Sequence, residues 1–342
     1  MTGIVTYKIR MSQTGRLSHL PDSQRIFGAL IYLYDELYSS EEASALVSKI
    51  RDGEVYLALS NLLPRGYLPV PQPYLYDRLN RKSEGQNQND QRTLKQIYKA
   101  IKDRTYAPWE QIKQMLAVDS KVDLVYPYAK LRSAYHIHAA IDSLRYDMPG
   151  LDSNVYSVPE LAVEEILARK TEARLIQEFD LFLAADDHPE CLKLIQALEQ
   201  AKEQGRRFFL GPRASQGLNT FIIKEIDQEP QERTDQSKNN AYLNLGMLLP
   251  QKIDFKSSSL KLYTSERRPY HVPEGWDQKE FSRKFISFID IGSIVYVKEG
   301  LQKAGQSIPS PYNQSRDIVF GNAYLMPLDM KLEVMEDDRS NS

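Results

Sequence analysis

Residues 5–37 read VTYKIRMSQTGRLSHLPDSQRIFGALIYLYDEL, and this stretch indicates how the fold begins. Apolar and polar side chains alternate along residues 5–11, which predicts a strand with one apolar face. That face carries Val5, Tyr7, Ile9 and Met11. From Asp22 to Leu37 the apolar residues recur at helical spacing, and Asp22 or Ser23 is placed to cap the first turn. The chain is therefore predicted to open with a strand, a loop and a helix.

A similar order of elements recurs in the middle of the chain. Residues 179–183 (FDLFL) predict a strand. Asp187 is predicted to cap the next helix, which has Pro189 in its first turn and runs up to Gly205. A loop from Gly211 to Gly217 then leads into another apolar strand. Strands alternating with helices in this way are typical of a mixed α and β fold.

The segment between these two patterns is less regular. It is rich in proline from residue 63 to 73 and polar from residue 80 to 92, and Leu94, Ile97 and Ile101 then predict a helix. We interpret this region as an insertion into the first domain.

A polar stretch at residues 227–240 predicts a linker or mobile loop between two domains, as a length of 342 residues also suggests. Beyond it we expect a second set of strands and a frayed acidic tail at residues 335–342. These strands are predicted at residues 242–249, 260–263, 285–298 and 322–334.

The composition excludes several classes of protein. Lys and Arg number 44 against 46 Asp and Glu, so the chain is no bulk polycation and any polyanion site must be local. The hydrophobic share of 42% and the charged share of 26% exclude a wholly disordered, collagenous or coiled-coil chain. A folded globular protein remains.

The cysteine content and the lengths of the apolar runs indicate in which cellular compartment the protein is expected. The single cysteine, Cys191, cannot form an internal disulfide and is expected to lie in the core. No apolar run approaches the ~20 residues that cross a bilayer, and the first residues do not have the pattern of a signal peptide. We therefore expect a cytoplasmic protein without membrane contact.

The glycine loop, Gly211–Gly217, is the first candidate binding site. Its backbone amides, Arg213 and the Ser215 hydroxyl are groups that cradle a phosphate. It is not a Walker loop, because Leu218 and Asn219 stand where Lys and Ser or Thr are required. A plain connection between strands is the alternative.

The second candidate is the sequence YPYAKLRSAYHIH at residues 126–138, in a chain with 21 tyrosines against 11 phenylalanines. Here rings interleave with Lys130 and Arg132, a combination that suits single-stranded nucleic acid. His136 and His138 share a strand face and are suited to metal binding or acid–base chemistry. No Asp, Glu or Cys stands at a recognisable ligand spacing, so we predict no metal and no cofactor. A partly structural basic hairpin is the alternative.

Three segments together resemble a known family. They are residues 23–30 (SQRIFGAL), residues 210–218 (LGPRASQGL), and residues 140–145 (AIDSLR) followed by 154–156 (NVY). Their order resembles the fourth-subunit family of the Csm complex, the type III-A CRISPR effector, within the RAMP superfamily. The likeness extends to residues 291–293 and 331–334. The chain departs from the family at Gln24, where Asp is usual, and at Pro212 and Asn219, where glycine is usual.

The resemblance implies an α+β fold of two ferredoxin-like (RRM-like) domains with antiparallel sheets. The first, residues 1–226, would carry a β-hairpin thumb at about residues 86–156, and the second would span residues 241–334. The resemblance also implies no catalysis by this subunit. The family binds the repeat-derived 5′ tag of the crRNA and meets the target RNA at its thumb. Its protein partners are the large polymerase-like subunit and the backbone RAMP subunit of the filament.

These arguments yield one set of predicted RNA contacts: Ser23, Arg25, Lys130, Arg132, Tyr135, His136, His138, Arg145, Tyr156, Gly211, Arg213, Ser215 and Gly217. Two other functions stay open at this point. One is a repeat-cleaving RAMP endoribonuclease that uses His136 or His138 as general base and acid. The other is a protein-interaction module whose tyrosines serve an interface without RNA.

Overall fold

The computed structural model describes residues 3–83, 88–117, 126–140, 154–168, 173–212, 216–229, 240–267, 284–311 and 317–328. In its first part the elements are β1 (Val5–Gln13), α1 (Ser23–Leu37), α2 (Ser40–Asp52), β2 (Leu57–Leu59), β3 (Leu63–Pro64), β4 (Leu68–Pro69), α3 (Gln72–Ser83), α4 (Gln88–Asp103), β5 (Tyr106–Ala107) and α5 (Trp109–Leu116). The middle part contains β6 (Tyr128–Ala140), β7 (Asn154–Ile166), β8 (Ala173–Leu175), β9 (Glu178–Ala185), α6 (Pro189–Glu203), β10 (Arg207–Phe209) and β11 (Thr220–Glu229). The last part contains β12 (Ala241–Asn244), β13 (Ile253–Ser259), β14 (Leu262–Arg267), β15 (Lys284–Ile289), β16 (Ile294–Val297), a 3₁₀ turn (Leu301–Lys303), β17 (Ile308–Pro309), β18 (Ile318–Val319) and β19 (Leu325–Pro327).

The first sheet has the strand order β10-β11-β1-β9-β2, with β3 also paired to β9. All of these neighbours are antiparallel. The strand predicted at residues 5–11 is confirmed, and Ile9 and Met11 on its apolar face belong to one buried cluster with residues of α1 and α6. The prediction of a mixed α and β fold with antiparallel sheets is confirmed.

The helix ends show how local sequence sets these elements. Asp22 is the N-cap of α1, and its Oδ1 accepts the Arg25 backbone N–H at 2.9 Å. The predicted cap of α6 was wrong by one residue. Because the helix begins at Pro189, the cap falls to His188, whose Nδ1 accepts the Glu190 N–H, and not to Asp187. Cys191 is buried on α6, as expected.

An insertion separates β3 from β9 and contains α3, α4, α5 and a long hairpin. The helix predicted around Ile97 is confirmed as α4. The hairpin pairs β6 with β7 from Tyr128↔Ile166 to Ala140↔Asn154 and lies in a sheet of order β4-β5-β6-β7-β8. The predicted thumb limit near residue 156 falls inside β7, because this pairing continues to Ile166.

The start of the predicted linker is also displaced. Residues 227–229 still belong to β11, where Glu229 pairs with Thr6 of β1. Residues 230–239 of that linker, and the tail at 335–342, lie outside the described residues.

The last part of the chain forms a sheet of order β13-β16-β12-β19, with the pairs β14–β15 and β17–β18 beside it. The strand predicted at 285–298 is two strands, because a turn with Gly292 at φ +78° separates β15 from β16. The strand predicted at 242–249 ends at Asn244, whose side-chain amide donates to the carbonyls of Gly246 and Ile289. The strand predicted at 260–263 is β14, and described strand structure in 322–334 is limited to β19.

One hydrophobic core joins the first and last parts of the chain. Phe27 of α1 stacks on Phe320 with ring centroids 4.3 Å apart and an interplanar angle of 7°. Leu243 and Ile294 belong to the same buried cluster as the residues of the first sheet. The described helices include none that is long and apolar enough to span a membrane.

Candidate nucleic-acid interface

The described ends of the glycine loop need glycine for two different reasons. At Gly211 a Cβ atom would lie 2.5 Å from Cε1 of His19, so the loop backbone packs directly against that ring. Gly217 has φ +74°, in the left-handed region that glycine enters without steric cost. Arg213 and Ser215, the two side chains predicted to bind phosphate, lie outside the described residues.

Asn219 holds the end of this loop against the connection that follows β1. Its Nδ2 donates to Ser18 Oγ at 2.8 Å and to the Pro212 carbonyl at 3.0 Å, and its Oδ1 accepts the Ser18 backbone N–H at 2.9 Å. Its own backbone N–H donates to the Arg16 carbonyl at 2.7 Å. The side chain therefore links the loop to the β1–α1 connection.

The backbone of Asn219 adopts a conformation that is uncommon for a residue with a Cβ atom. Its φ of +55° lies in the left-handed region, which Asn enters more readily than other residues that carry a Cβ. A glycine at this position would adopt the same conformation but could not make the three side-chain hydrogen bonds. Asn219 therefore combines the left-handed backbone of this loop with a polar link to the β1–α1 connection.

His19 completes this polar cluster. Its Nδ1 lies 2.9 Å from Ser18 Oγ, the same hydroxyl oxygen that accepts from Asn219 Nδ2. Burial, together with the neighbouring Arg25 guanidinium, lowers the pKa of His19 to about 4. His19 is therefore neutral near pH 7.

The base of the hairpin lies beside this same connection. The Leu161 N–H of β7 donates to the Leu17 carbonyl at 2.8 Å, and the two residues form an antiparallel bridge. Next to it, Arg16 forms an ion pair with Glu160 at 3.6 Å. The described parts of the glycine loop, the β1–α1 connection and the hairpin are thus joined by hydrogen bonds, and we call them together the loop–hairpin surface.

The cations of the hairpin are partly neutralised. The Glu164 carboxylate is buried and lies 3.0 Å from Nη1 of Arg132 and 3.9 Å from Nζ of Lys130. Tyr135 is 72% exposed and Ile137 is 77% exposed on the same strand. The hairpin therefore presents both charge and apolar surface to a ligand.

The predicted histidines belong to this hairpin by backbone position. His138 lies opposite Tyr156 in the register, and His136 lies opposite Val158. The side chains of His136, His138 and Tyr156, and the whole of Arg145, lie outside the described residues.

Two residues at the start of α1 have different surroundings. Arg25 is half exposed and forms an ion pair with Asp22. Ser23 is fully buried, and its Oγ accepts the Met247 backbone N–H at 3.0 Å while its own N–H donates to Asn61 Oδ1 at 2.9 Å. Since a ligand cannot reach this hydroxyl, the RNA contact predicted for Ser23 was wrong, and the residue joins α1 to the last part of the chain instead.

Comparison with known proteins places this surface in a known fold. No family model and no curated protein matches the sequence. A solved Csm3–Csm4 subcomplex of the type III-A CRISPR-Cas interference complex matches with a TM-score of 0.53 at 16% identity, over 95% of this chain and 100% of that chain. Csm1–Csm4 cassettes match with TM-scores of 0.52 in complex with AMPPNP and 0.51 in complex with cA4. These two are 14% and 15% identical to this chain, and each match covers 97% of this chain and 99% of that chain.

Csm4 is the component common to these complexes. The chain has the fold of Csm4. The resemblance that the sequence segments indicated is thereby confirmed at the level of the fold, and it extends over nearly the whole chain. At such low identity the similarity lies in the arrangement of elements more than in individual side chains.

Sequence reasoning missed His19 and the role of Asn219. Asn219 carried one signal, since it stands where the family usually has glycine, and that substitution indicates a left-handed backbone. His19 carried no signal, because Gly211, the loop residue against which its ring packs, lies about two hundred positions away along the chain. Within the described ranges no group of three or more His, Cys, Asp or Glu side chains is arranged to hold a metal ion.

Proposed function

We propose that this chain is the non-catalytic RNA-binding subunit of a type III-A CRISPR effector and that it binds the repeat-derived 5′ tag of the crRNA. One observation carries the proposal: the Csm4 fold extends over nearly the whole chain. Within that fold, the β1–α1 connection links the two segments whose residue types suit RNA: Asn219 bonds the end of the glycine loop to Ser18, and the bridge between Leu17 and Leu161 joins the same connection to the hairpin. The chain would serve RNA-guided antiviral interference in the cytoplasm.

The glycine loop would hold tag phosphates through backbone amides, Arg213 and Ser215. The exposed Tyr135 and the hairpin cations would meet the first guide–target base pairs, because rings and cations together suit nucleic acid. Every described cation among the predicted contacts also has a carboxylate partner. Binding would therefore depend on local geometry more than on bulk charge.

The two ferredoxin-like domains belong to the same proposal. The order β11-β1-β9-β2, with α1 following β1 and α6 following β9, supports this assignment for the first sheet. The last sheet, residues 241–328 in its described span, would be the second domain. The hairpin β6–β7 would be the thumb.

The proposed partners follow from the solved complexes. One pairs Csm4 with Csm1 and another pairs Csm4 with Csm3. We therefore propose that this chain contacts a large polymerase-like subunit of the Csm1 type and a backbone RAMP subunit of the Csm3 type, as well as crRNA and target RNA.

Purification of the tagged chain from its native host tests this function. We expect CRISPR effector subunits to co-purify, together with RNA whose 5′ end begins in repeat sequence. Recovery of the chain without those subunits and without RNA would contradict the proposal and favour an interaction module.

A separate assay tests the absence of catalysis. The full chain is incubated with repeat RNA, and His136→Ala serves as the matched variant. We expect no cleavage by either protein. Cleavage by the native chain that is lost in the variant would establish the endoribonuclease alternative.

A further inference from the structure

An exposed aromatic side chain lies on the first sheet immediately before the glycine loop. Phe209 of β10 is 52% exposed, while Phe208 and Leu210 on either side of it are buried. Because side chains alternate along a strand, Arg207 shares the outward face with Phe209. The two buried neighbours hold this short strand in place, so the Phe209 ring is presented on a fixed backbone.

A second cation, Lys224, belongs to the same face. β10 pairs with β11 through Arg207↔Ile222 and Phe209↔Thr220, so Lys224 lies diagonally beyond Arg207. A shift in the β1–β11 register falls at this point, between Arg10 and Met11. Ile223 before it and Ile226 after it pack into the core, which leaves Lys224 on the outward side.

These cations differ from those of the loop–hairpin surface. Among the residues that the structure describes, Arg207 and Lys224 have exposed side chains and take part in no ion pair. The adjacent carboxylate, Glu225, is bound by Arg10 of β1. The neighbouring Arg206 pairs with Glu36 of α1. Two cations without an ion pair among the described residues thus share a sheet face with one exposed ring, and Arg207 lies between Phe209 and Lys224.

We infer that Phe209, Arg207 and Lys224 form a site for a single-stranded RNA segment, with one nucleobase stacked on Phe209 and the phosphates on the Arg207 side of that base bound by the two cations. This inference rests on the proposed function and adds a second RNA contact beyond the glycine loop. An aromatic ring accepts any base because every base has a π face, and free cations attract phosphates. Two successive cations on one side of the ring, neither of them in an ion pair among the described residues, favour a polyanion over an apolar protein surface.

The test measures binding of a fluorescein-labelled single-stranded RNA of mixed sequence to the full chain assembled with its co-purifying subunits. Phe209→Ala is expected to weaken binding about tenfold, and Phe209→Tyr, which keeps the ring, to bind like the native chain. The control is Phe255→Ala, because Phe255 is 58% exposed on β13 at a different sheet. Thermal melting of each variant checks that the fold is intact.

The cations are tested by the salt dependence of the same binding reaction. Arg207→Ala and Lys224→Ala should each make the plot of log affinity against log salt concentration shallower. The expected change in slope is about 0.7 for each variant, the value for the loss of one phosphate contact on a single strand. Lys252→Ala, which removes a cation paired with Glu299, should leave the slope unchanged.

The outcomes separate this inference from the proposed function. Native-level binding by Phe209→Ala, with repeat RNA still present in the native complex, would overturn the site and leave the proposed function intact. Loss of a co-purifying subunit from Phe209→Ala with normal RNA affinity would overturn it in favour of a protein contact. Absence of RNA from the native complex would remove both.

Discussion

At the residue scale, a few side chains set the shape of the loop–hairpin surface. Asn219 has a left-handed backbone and makes three side-chain hydrogen bonds across to Ser18 and Pro212. His19 continues that chain of hydrogen bonds and packs against Gly211. These contacts bring the loop to the β1–α1 connection, and they can be removed one at a time.

Two substitutions of Asn219 separate the contribution of its side-chain hydrogen bonds from that of its left-handed backbone. Asn219→Ala loses the hydrogen bonds and places a Cβ without polar compensation at φ +55°. We expect the free energy of unfolding to fall by about 2–4 kcal/mol. Asn219→Gly loses only the hydrogen bonds, so its loss should be smaller by about 1 kcal/mol. Chemical denaturation measures both, and equal losses would contradict a role for the backbone conformation.

His19 should make stability depend on pH. Its pKa is about 4 in the folded chain against an ordinary value of 6.5, so the unfolded chain takes up this proton first as the pH falls. The contribution of the neutral ring to the free energy of unfolding is complete above pH 6.5 and is lost as the pH approaches about 4. His19→Gln should reduce the loss of stability in that window. Identical pH profiles of the two proteins would contradict the prediction.

At the scale of elements, the hairpin has exposed aromatic and aliphatic side chains on β6 and a buried carboxylate, Glu164, on β7. Tyr135 and Ile137 are exposed on β6, whereas Glu164 of β7 is buried beside Lys130 and Arg132. A buried carboxylate is costly unless it is paired, so the two cations stabilise Glu164 in the fold and are also the groups proposed to face RNA. Their charge is therefore shared between folding and the proposed binding.

Glu164→Gln tests this shared role. The near-isosteric change removes the negative charge, and we expect a loss of about 1–2 kcal/mol in the free energy of unfolding, because Lys130 and Arg132 stay accessible to solvent. Arg132→Ala should cost less than about 1 kcal/mol, since its side chain is 71% exposed. Denaturation curves compare the two variants.

Glu164→Gln should strengthen RNA binding although it lowers the stability of the fold. With the carboxylate neutralised, the hairpin gains net positive charge, so RNA affinity at low salt should rise and its salt dependence should steepen. An unchanged salt slope would indicate that Lys130 and Arg132 do not face the RNA.

At the scale of the whole molecule, the two sheets at the ends of the chain share one core. The stacked rings of Phe27 and Phe320 and the hydrogen bond from Met247 to Ser23 cross between them. Two domains were predicted from the chain length, and they are expected to unfold together because their apolar surfaces are buried against each other.

Phe320→Ala tests this coupling. Phe320 is 1% exposed, and its truncation should lower the free energy of unfolding by about 3–5 kcal/mol. Unfolding should stay a single transition, with tryptophan fluorescence and circular dichroism coincident. Two separated transitions would show that the last sheet unfolds independently.

The sequence by itself determined those helices and strands whose formation depends on the residues within them. β1, α1, β9 and α6 were predicted because their apolar residues recur with the period of a strand or a helix and their ends carry capping residues. The order of the segments also pointed to the Csm4 fold before any contact was known. Short strands such as β12 and β19 were overestimated, because apolar runs do not show where a turn interrupts them.

Only the tertiary structure decided which of the candidate residues face solvent and which are enclosed. Ser23 has the residue type of a phosphate ligand, but packing against residues more than two hundred positions away buries it. Asn219 and Ser18 are 201 positions apart, and no local pattern predicts that they meet. Local sequence sets backbone preference within a few residues, whereas burial and the pairing of charges arise when distant segments pack together. For this reason the contact of His19 with Gly211 and the exposure of Phe209 could be seen only in the folded chain.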